Sequence, residues 1–205
     1  MAKVALNKSA LTKEKRSLKT CKRYLPALEM KRQQLMVERK KAEIALAESR
    51  QQLQDLEALV RRQIPMLARE DVPVENLVRV TGVELVEENI VGTPVPLVKG
   101  VHIQLKPYSD LAKPHWVDFL VELLQQMVRL RVELQVRSLR HKALDKATRT
   151  TSQRVNLFSK VLIPQTQKNI QKIQIYMSDQ DRASVMNAKL SKGKVMAQEA
   201  KGGGA

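Results

Sequence analysis

Apolar residues recur every seventh position along the first third of the chain. With Leu11 at heptad position a, the a series runs Leu11, Leu18, Leu25, Arg32, Arg39, Leu46, Leu53 and Val60. The d series runs Glu14, Cys21, Leu28, Leu35, Ala42, Ser49, Leu56 and Gln63. Eleven of these sixteen positions are apolar. A seam held over so many heptads separates a coiled coil from an ordinary surface helix. It predicts one long helix over residues 7–68, roughly 90 Å long at 1.5 Å per residue and supercoiled to the left because the repeat is 3.5. Pro26 interrupts this helix near its start. Arg32 and Arg39 at core positions mark a weakened or unwound stretch, or a place where a third element packs.

The pattern changes at Pro65 and again at Pro73. Residues 77–86 (LVRVTGVELV) are rich in β-branched side chains, and residues 101–105 alternate, with Val101, Ile103 and Leu105 on one face. Between them EENIVGTPVP supplies acidic residues, Gly92, Pro94 and Pro96, which read as a longish loop. A lone two-stranded hairpin is marginal in water, so it is expected to lie against the base of the helices.

A second seam starts near Lys113 and Pro114, with Asp110 as a candidate cap. Trp116, Phe119, Leu120, Leu123, Leu124 and Met127 open it, and Leu130, Leu134, Leu144, Val155, Phe158 and Leu162 continue it. Past Pro164 the pattern slips by one residue to Ile163, Ile170 and Met177, as a stutter would make it. A proline inside a helix removes a hydrogen bond, here to the Lys160 carbonyl, and costs about 3 kcal/mol, so this helix needs outside support. Pro26 and Pro164 are the candidate structural kinks.

Two seams joined by a compact middle predict a mainly α fold: a long antiparallel two-helix coiled coil with a short β-hairpin in mid-chain. The predicted division is 1–68 for the N-terminal helix, 69–113 for the middle segment, 114–192 for the C-terminal helix and 193–205 for a flexible tail. If Pro26 and Pro164 lie level, the numbers of facing residues add to about 190. Glu75 then faces His115, and residue 11 faces residue 179.

Composition and charge sharpen this picture. Aromatics make up only 3% of the chain, too few to fill a wide core but enough for a thin seam. The net charge is +16: residues 1–65 contribute +9, residues 66–113 contribute −2 and residues 114–205 contribute +9. Residues 1–32 and 149–205 together carry +15, so the predicted hairpin concentrates charge where the termini meet. Such a field favours an anionic partner, nucleic acid or an acidic protein surface.

Signatures of chemistry are missing. The sequence has no GxxxxGK or GxGxxG, no GxSxG and no HExxH. His102, His115 and His141 are scattered and share no metal-ligand spacing with Cys21, which falls on the seam. No catalytic, metal or cofactor site is expected. The single cysteine suits a reducing cytoplasm, and no apolar run approaches the ~20 residues that span a bilayer. No long apolar stretch near the N-terminus reads as a signal peptide.

Three runs resemble a known family. SQRVNLFSKVLIPQTQKNIQKIQIYM (residues 152–177) is similar to the C-terminal helix of the D subunit of the V-type and A-type rotary ATPases. RYLPALEMKRQQL (residues 23–35) resembles the bacterial form of its first helix, and ENIVGTPVP (residues 88–96) its mid-chain hairpin. The resemblance spans residues 6–194. Many members carry an LLK-KRD-like run where this chain has MKRQQLMVERK (residues 30–40).

That resemblance implies a non-catalytic central-stalk subunit, the rotor axle. It would carry torque between the A/B hexamer, where nucleotide chemistry occurs, and the ion-translocating membrane ring. Implied partners are the A and B subunits, the F subunit, and the funnel-shaped C/d-type subunit on the ring. No direct nucleotide, nucleic acid or membrane insertion is implied. The location is cytoplasmic and peripheral to the membrane. Candidate hexamer-bearing contacts are Arg16, Lys19, Arg23, Arg154, Lys160, Lys168 and Lys172. The F subunit is expected along residues 42–59 and 129–144. Two rivals stay open on the residues alone: a basic hairpin gripping RNA, which the sparse aromatics disfavour, and a chaperone or scaffold coiled coil.

Overall fold

The computed structural model describes residues 5–68, 77–106, 114 and 116–202. The expected cap Asp110 and the expected pairing of Glu75 with His115 lie outside these residues. Helix α1 spans Lys8–Gln63. Asn7 starts it by accepting the Ala10 amide on its side-chain oxygen at 2.7 Å, which satisfies one of the unpaired first-turn donors. The helix continues through Pro26. It ends five residues short of the expected limit because Pro65 has no amide to continue it, and a 3-10 turn covers Pro65–Ala68.

Strands β1 (Val78–Ile90) and β2 (Thr93–Leu105) form a two-stranded antiparallel sheet. The long loop expected between them is replaced by ladder: Ile90 pairs with Thr93, and only Val91 and Gly92 turn the chain. Both have positive φ, 52° and 73°, as a type I′ turn requires at its two central residues. Pro94 and Pro96 belong to the strand, opposite Asn89 and Glu87. They are tolerated because alternate residues of an outer strand point their N–H away from the partner. Thr81 is an extra residue on β1 and Lys99 one on β2, so two bulges cancel and restore the register.

Helix α2 covers Trp116–Asn156, a π-helical turn covers Leu157–Leu162, and α3 runs over Ile163–Gly202. The expected tail from residue 193 is therefore helical as far as Gly202. The slip in the apolar pattern has a simpler origin than a stutter. Leu144, Thr148, Thr151 and Val155 are buried at spacings of four, three and four. Extending that alternation would bury residues 165, 169 and 172, whereas Thr166, Ile170 and Ile173 are the buried ones. A π turn inserts one residue, which is the size of the shift.

The chain forms two compact units, Met1–Glu29 with Gln153–Ala205, and Met30–Ser152. Within Met30–Ser152, α1, α2 and the hairpin share three apolar clusters. At one end Val60 and Ile64 pack with Leu120 and Leu123. Beside them Leu77 packs with Val117 and Val121. Further along, the tip residues Ile90 and Val95 pack with Leu35, Ala42 and Leu144. The hairpin is therefore not confined to the base. From Val117 to Leu144 a helix rises about 40 Å, and a 13-residue strand spans about 43 Å, so the hairpin lies along the helix pair.

Ion pairs and hydrogen bonds set the register. Partner numbers add to 184 for Arg39 and Asp145, 186 for Ser49 and Arg137, and 188 for Glu57 and Arg131. This unit is thus shifted by up to six residues from the 190 that level prolines would give. In the terminal unit, Leu11 lines a groove with Met177, Ser178, Asp181 and Arg182, which brackets the expected residue 179.

Candidate functional site

The terminal unit is built from the first half of α1 together with the last residues of α2, the π turn and α3. Its seam is thin: among the described residues Cys21, Val155, Ile170 and Ile173 are its buried apolar side chains, and Thr166 is buried on the same helix as the last two. Thr166 donates its hydroxyl to the Leu162 carbonyl at 2.6 Å, so a buried polar group is satisfied inside its own helix. Ile163 donates its amide to the Phe158 carbonyl, five residues back. A wider turn of this kind is a general means of keeping the preceding carbonyls from a proline ring. Pro164 follows directly in a helix that runs unbroken through this turn, Ile163 keeping helical φ and ψ of −63° and −51°. The support that this proline requires is thus largely local.

Charge dominates the surface of this unit. Residues 1–29 and 153–205 hold seventeen Lys and Arg against five Asp and Glu, net +12, which leaves +4 for residues 30–152. Arg16, Lys19 and Arg23 lie on one outward face of α1, at helical spacings of three and four. Lys168 and Lys172, four apart on α3, lie on the side opposite buried Ile170 and Ile173. Arg154 ends α2 and Lys160 sits in the π turn. All seven side chains are exposed, and among the described residues none of them forms an ion pair. The ion pairs among the described residues, such as Arg39 with Asp145 and Arg140 with Glu88, belong to residues 30–152.

Apolar residues are interleaved with these cations, which charge-based reasoning missed. Tyr24 is 57% exposed, Ile175 63% and Met186 61%. Past residue 177 every described side chain of α3 is exposed. The sequence signal for this was available: Leu190, Val195 and Met196 lie beyond the reach of a facing seam. Unpaired cations with large apolar side chains between them can bind an acidic protein surface by both charge and contact. Among the described residues no cluster of His, Cys, Asp and Glu could hold a metal, and no helix is long and apolar enough to cross a membrane.

Comparison with known proteins gives the context for this surface. Residues 10–193 match the family described as the ATP synthase D subunit. The V-type ATP synthase D subunit of Borreliella burgdorferi is 36% identical over 192 residues, covering 94% of this chain and 95% of that protein. The corresponding protein of Chlamydia caviae is 32% identical over 199 residues, covering 95% and 94%. That of Chlamydia pneumoniae is 31% identical over 204 residues, covering 97% and 96%. Matched across nearly its whole length, the chain belongs to the D-subunit family of ATP synthases.

Proposed function

We propose that this chain, a central-stalk subunit of a rotary V-type ATPase, turns as an axle whose terminal unit is the bearing end. Its role is mechanical. Nucleotide chemistry belongs to the A and B subunits, and the axle carries torque between their hexamer and the membrane ring. The observation that supports this reading is the +12 concentrated on 82 of the 205 residues, with seven exposed cations left without acidic partners among the described residues. An unpaired cationic surface gains more from an acidic collar than one already neutralised within the chain. Arg16, Lys19, Arg23, Arg154, Lys160, Lys168 and Lys172 are the bearing contacts in this reading. The F subunit lies along residues 42–59 and 129–144, and the funnel-shaped subunit meets the end near Ile64 and Trp116. Neither an RNA-gripping hairpin nor a free scaffold draws support from the relatives.

Replacing Arg16, Lys19, Arg23, Lys168 and Lys172 together with glutamine tests the bearing. The five-fold variant is expected to fold normally and to bind the A/B hexamer about tenfold more weakly at low salt. The difference should shrink as ionic strength rises. Hexamer binding and rotation equal to the unsubstituted chain at all salt concentrations would refute the assignment.

A further inference from the structure

The seam of residues 30–152 contains an arginine that the torque-carrying role has not used. Ser49 occupies a d position and is fully buried. Its hydroxyl donates to the Ala45 carbonyl at 2.9 Å. Arg137 reaches across from α2, and its Nη1 donates both to the Ser49 hydroxyl and to the Ala45 carbonyl, the latter at 3.1 Å. Its Nη2 lies 3.5 Å from Glu133 on its own helix. Further along the seam, Arg39 at an a position meets Asp145 at 3.3 Å, and Asp145 also holds Arg149 at 2.8 Å. Two polar layers thus cross the seam from opposite directions, one arginine coming from each helix.

These layers differ in kind from the apolar ones. A heptad seam is self-similar, so sliding α1 by seven residues exchanges Leu46 for Leu53, Leu53 for Val60 and Leu35 for Ala42. Each a or d position still meets an a or d position. Apolar contact alone therefore distinguishes poorly between registers one heptad apart. The same slide places Leu56 or Ala42 where Ser49 had been, and neither carries a hydroxyl. It also moves Arg39 away from Asp145 and brings either Leu46 or Arg32 to its place, so this second pair tells against only one direction of sliding. Polar seam residues are known to select register in coiled coils for this reason.

We propose that Arg137 and Ser49, seconded by Arg39 and Asp145, are positioning residues that lock the axial register of α1 against α2, so that the two helices carry load as one body. Arg137 acts through Ser49 and the Ala45 carbonyl and need touch no other protein. The lock accounts for Ser49 and Arg39 at heptad positions that leucine would otherwise fill.

The test measures register directly in the full-length chain. In a Cys21→Ala background, spin labels are placed on cysteines introduced at Lys40 and Gln126, both exposed and on different helices. These sites differ in level, so the label separation changes with axial sliding. The unsubstituted seam is expected to give one narrow distance. Arg137→Met with Ser49→Ala is expected to add a second population displaced by about 10 Å, one heptad of rise. Arg137→Lys, which keeps donors, should return most molecules to the single distance. Leu46→Ala, an apolar loss nearby, should lower the melting temperature without adding a population. If the double substitution fails to fold, Ser49→Ala alone should still give the second distance in a smaller fraction. A single unshifted distance in the folded Arg137 and Ser49 variants would overturn the proposal. So would a second population produced equally by Leu46→Ala.

Discussion

The Ile163 amide reaches back five residues to the Phe158 carbonyl, directly before Pro164 in the chain. The π turn therefore does two things: it accommodates the proline ring and advances the buried face of α3 by one residue. The two can be separated. Pro164→Ala leaves the inserted residue in place and should change unfolding free energy by less than about 1 kcal/mol, because the π turn before it already interrupts the regular ladder. Deleting Ser159 removes the insertion and turns the following helix by about 100°, which takes Ile170 and Ile173 out of the seam. That deletion should cost about 4 kcal/mol by the loss of two buried isoleucines. Urea unfolding followed by circular dichroism distinguishes the two, and equal effects would refute the phase argument.

Leu144 has no exposed surface and packs with Leu35, Ala42, Ile90 and Val95, so it joins both helices to the hairpin tip. Leu144→Ala should cost about 3 kcal/mol. Leu139 on the same helix is 48% exposed, and Leu139→Ala should stay within about 0.5 kcal/mol. The comparison needs only two thermal melts, and it controls for helix propensity because the substitution is the same.

Val91 is a β-branched residue held at a φ of 52°, a conformation that its side chain disfavours. Val91→Asn should stabilise the hairpin by about 1 kcal/mol, since asparagine accepts the left-handed region readily. Gly92→Ala should destabilise it by a similar amount, about 1 kcal/mol, through its own positive φ. Amide hydrogen exchange across the ladder near Ile90 and Thr93 would show protection rising in the first variant and falling in the second.

The described side chains beyond Ser184 are all exposed. Ending the chain there should leave the stability of the isolated protein unchanged within about 0.5 kcal/mol, read from a thermal melt. In the assembled ATPase the same truncation should lower the number of ions moved per ATP hydrolysed if the terminal unit is the bearing proposed above, because it would then lose part of its contact with the hexamer. Full coupling after truncation would remove residues 185–205 from the bearing.

Much of the helical architecture was legible because its signal is local. Cys21, Leu35, Ala42, Leu46, Ser49 and Val60 are the buried residues of α1, and each falls on the a or d series read from spacing alone. The hairpin was only half legible. Glu87, Glu88 and Asn89 with Pro94 and Pro96 have loop composition, and they pair because the strands are exposed over much of their length and tolerate polar residues. Register was misjudged in residues 30–152 because it was set by placing Pro26 and Pro164 level, while the heptad seam itself leaves axial register ambiguous. Cross-seam partners such as Ser49 with Arg137 reduce that ambiguity. The slip near Pro164 was visible as periodicity, whereas its origin in a π turn depended on backbone geometry. The candidate bearing residues could be chosen by charge, but one exposed lysine on a helix reads like any other in sequence.

Pro94 and Pro96 leave β2 without two successive outward N–H donors, and β1 carries Glu84, Glu87 and Glu88 along its length. A hairpin of two 13-residue strands with two open edges would otherwise invite a strand from another molecule to extend its ladder. Here one side lacks donors and the other repels a second acidic strand. The chain can wait, unassembled, for the rest of its complex without its sheet growing into an aggregate.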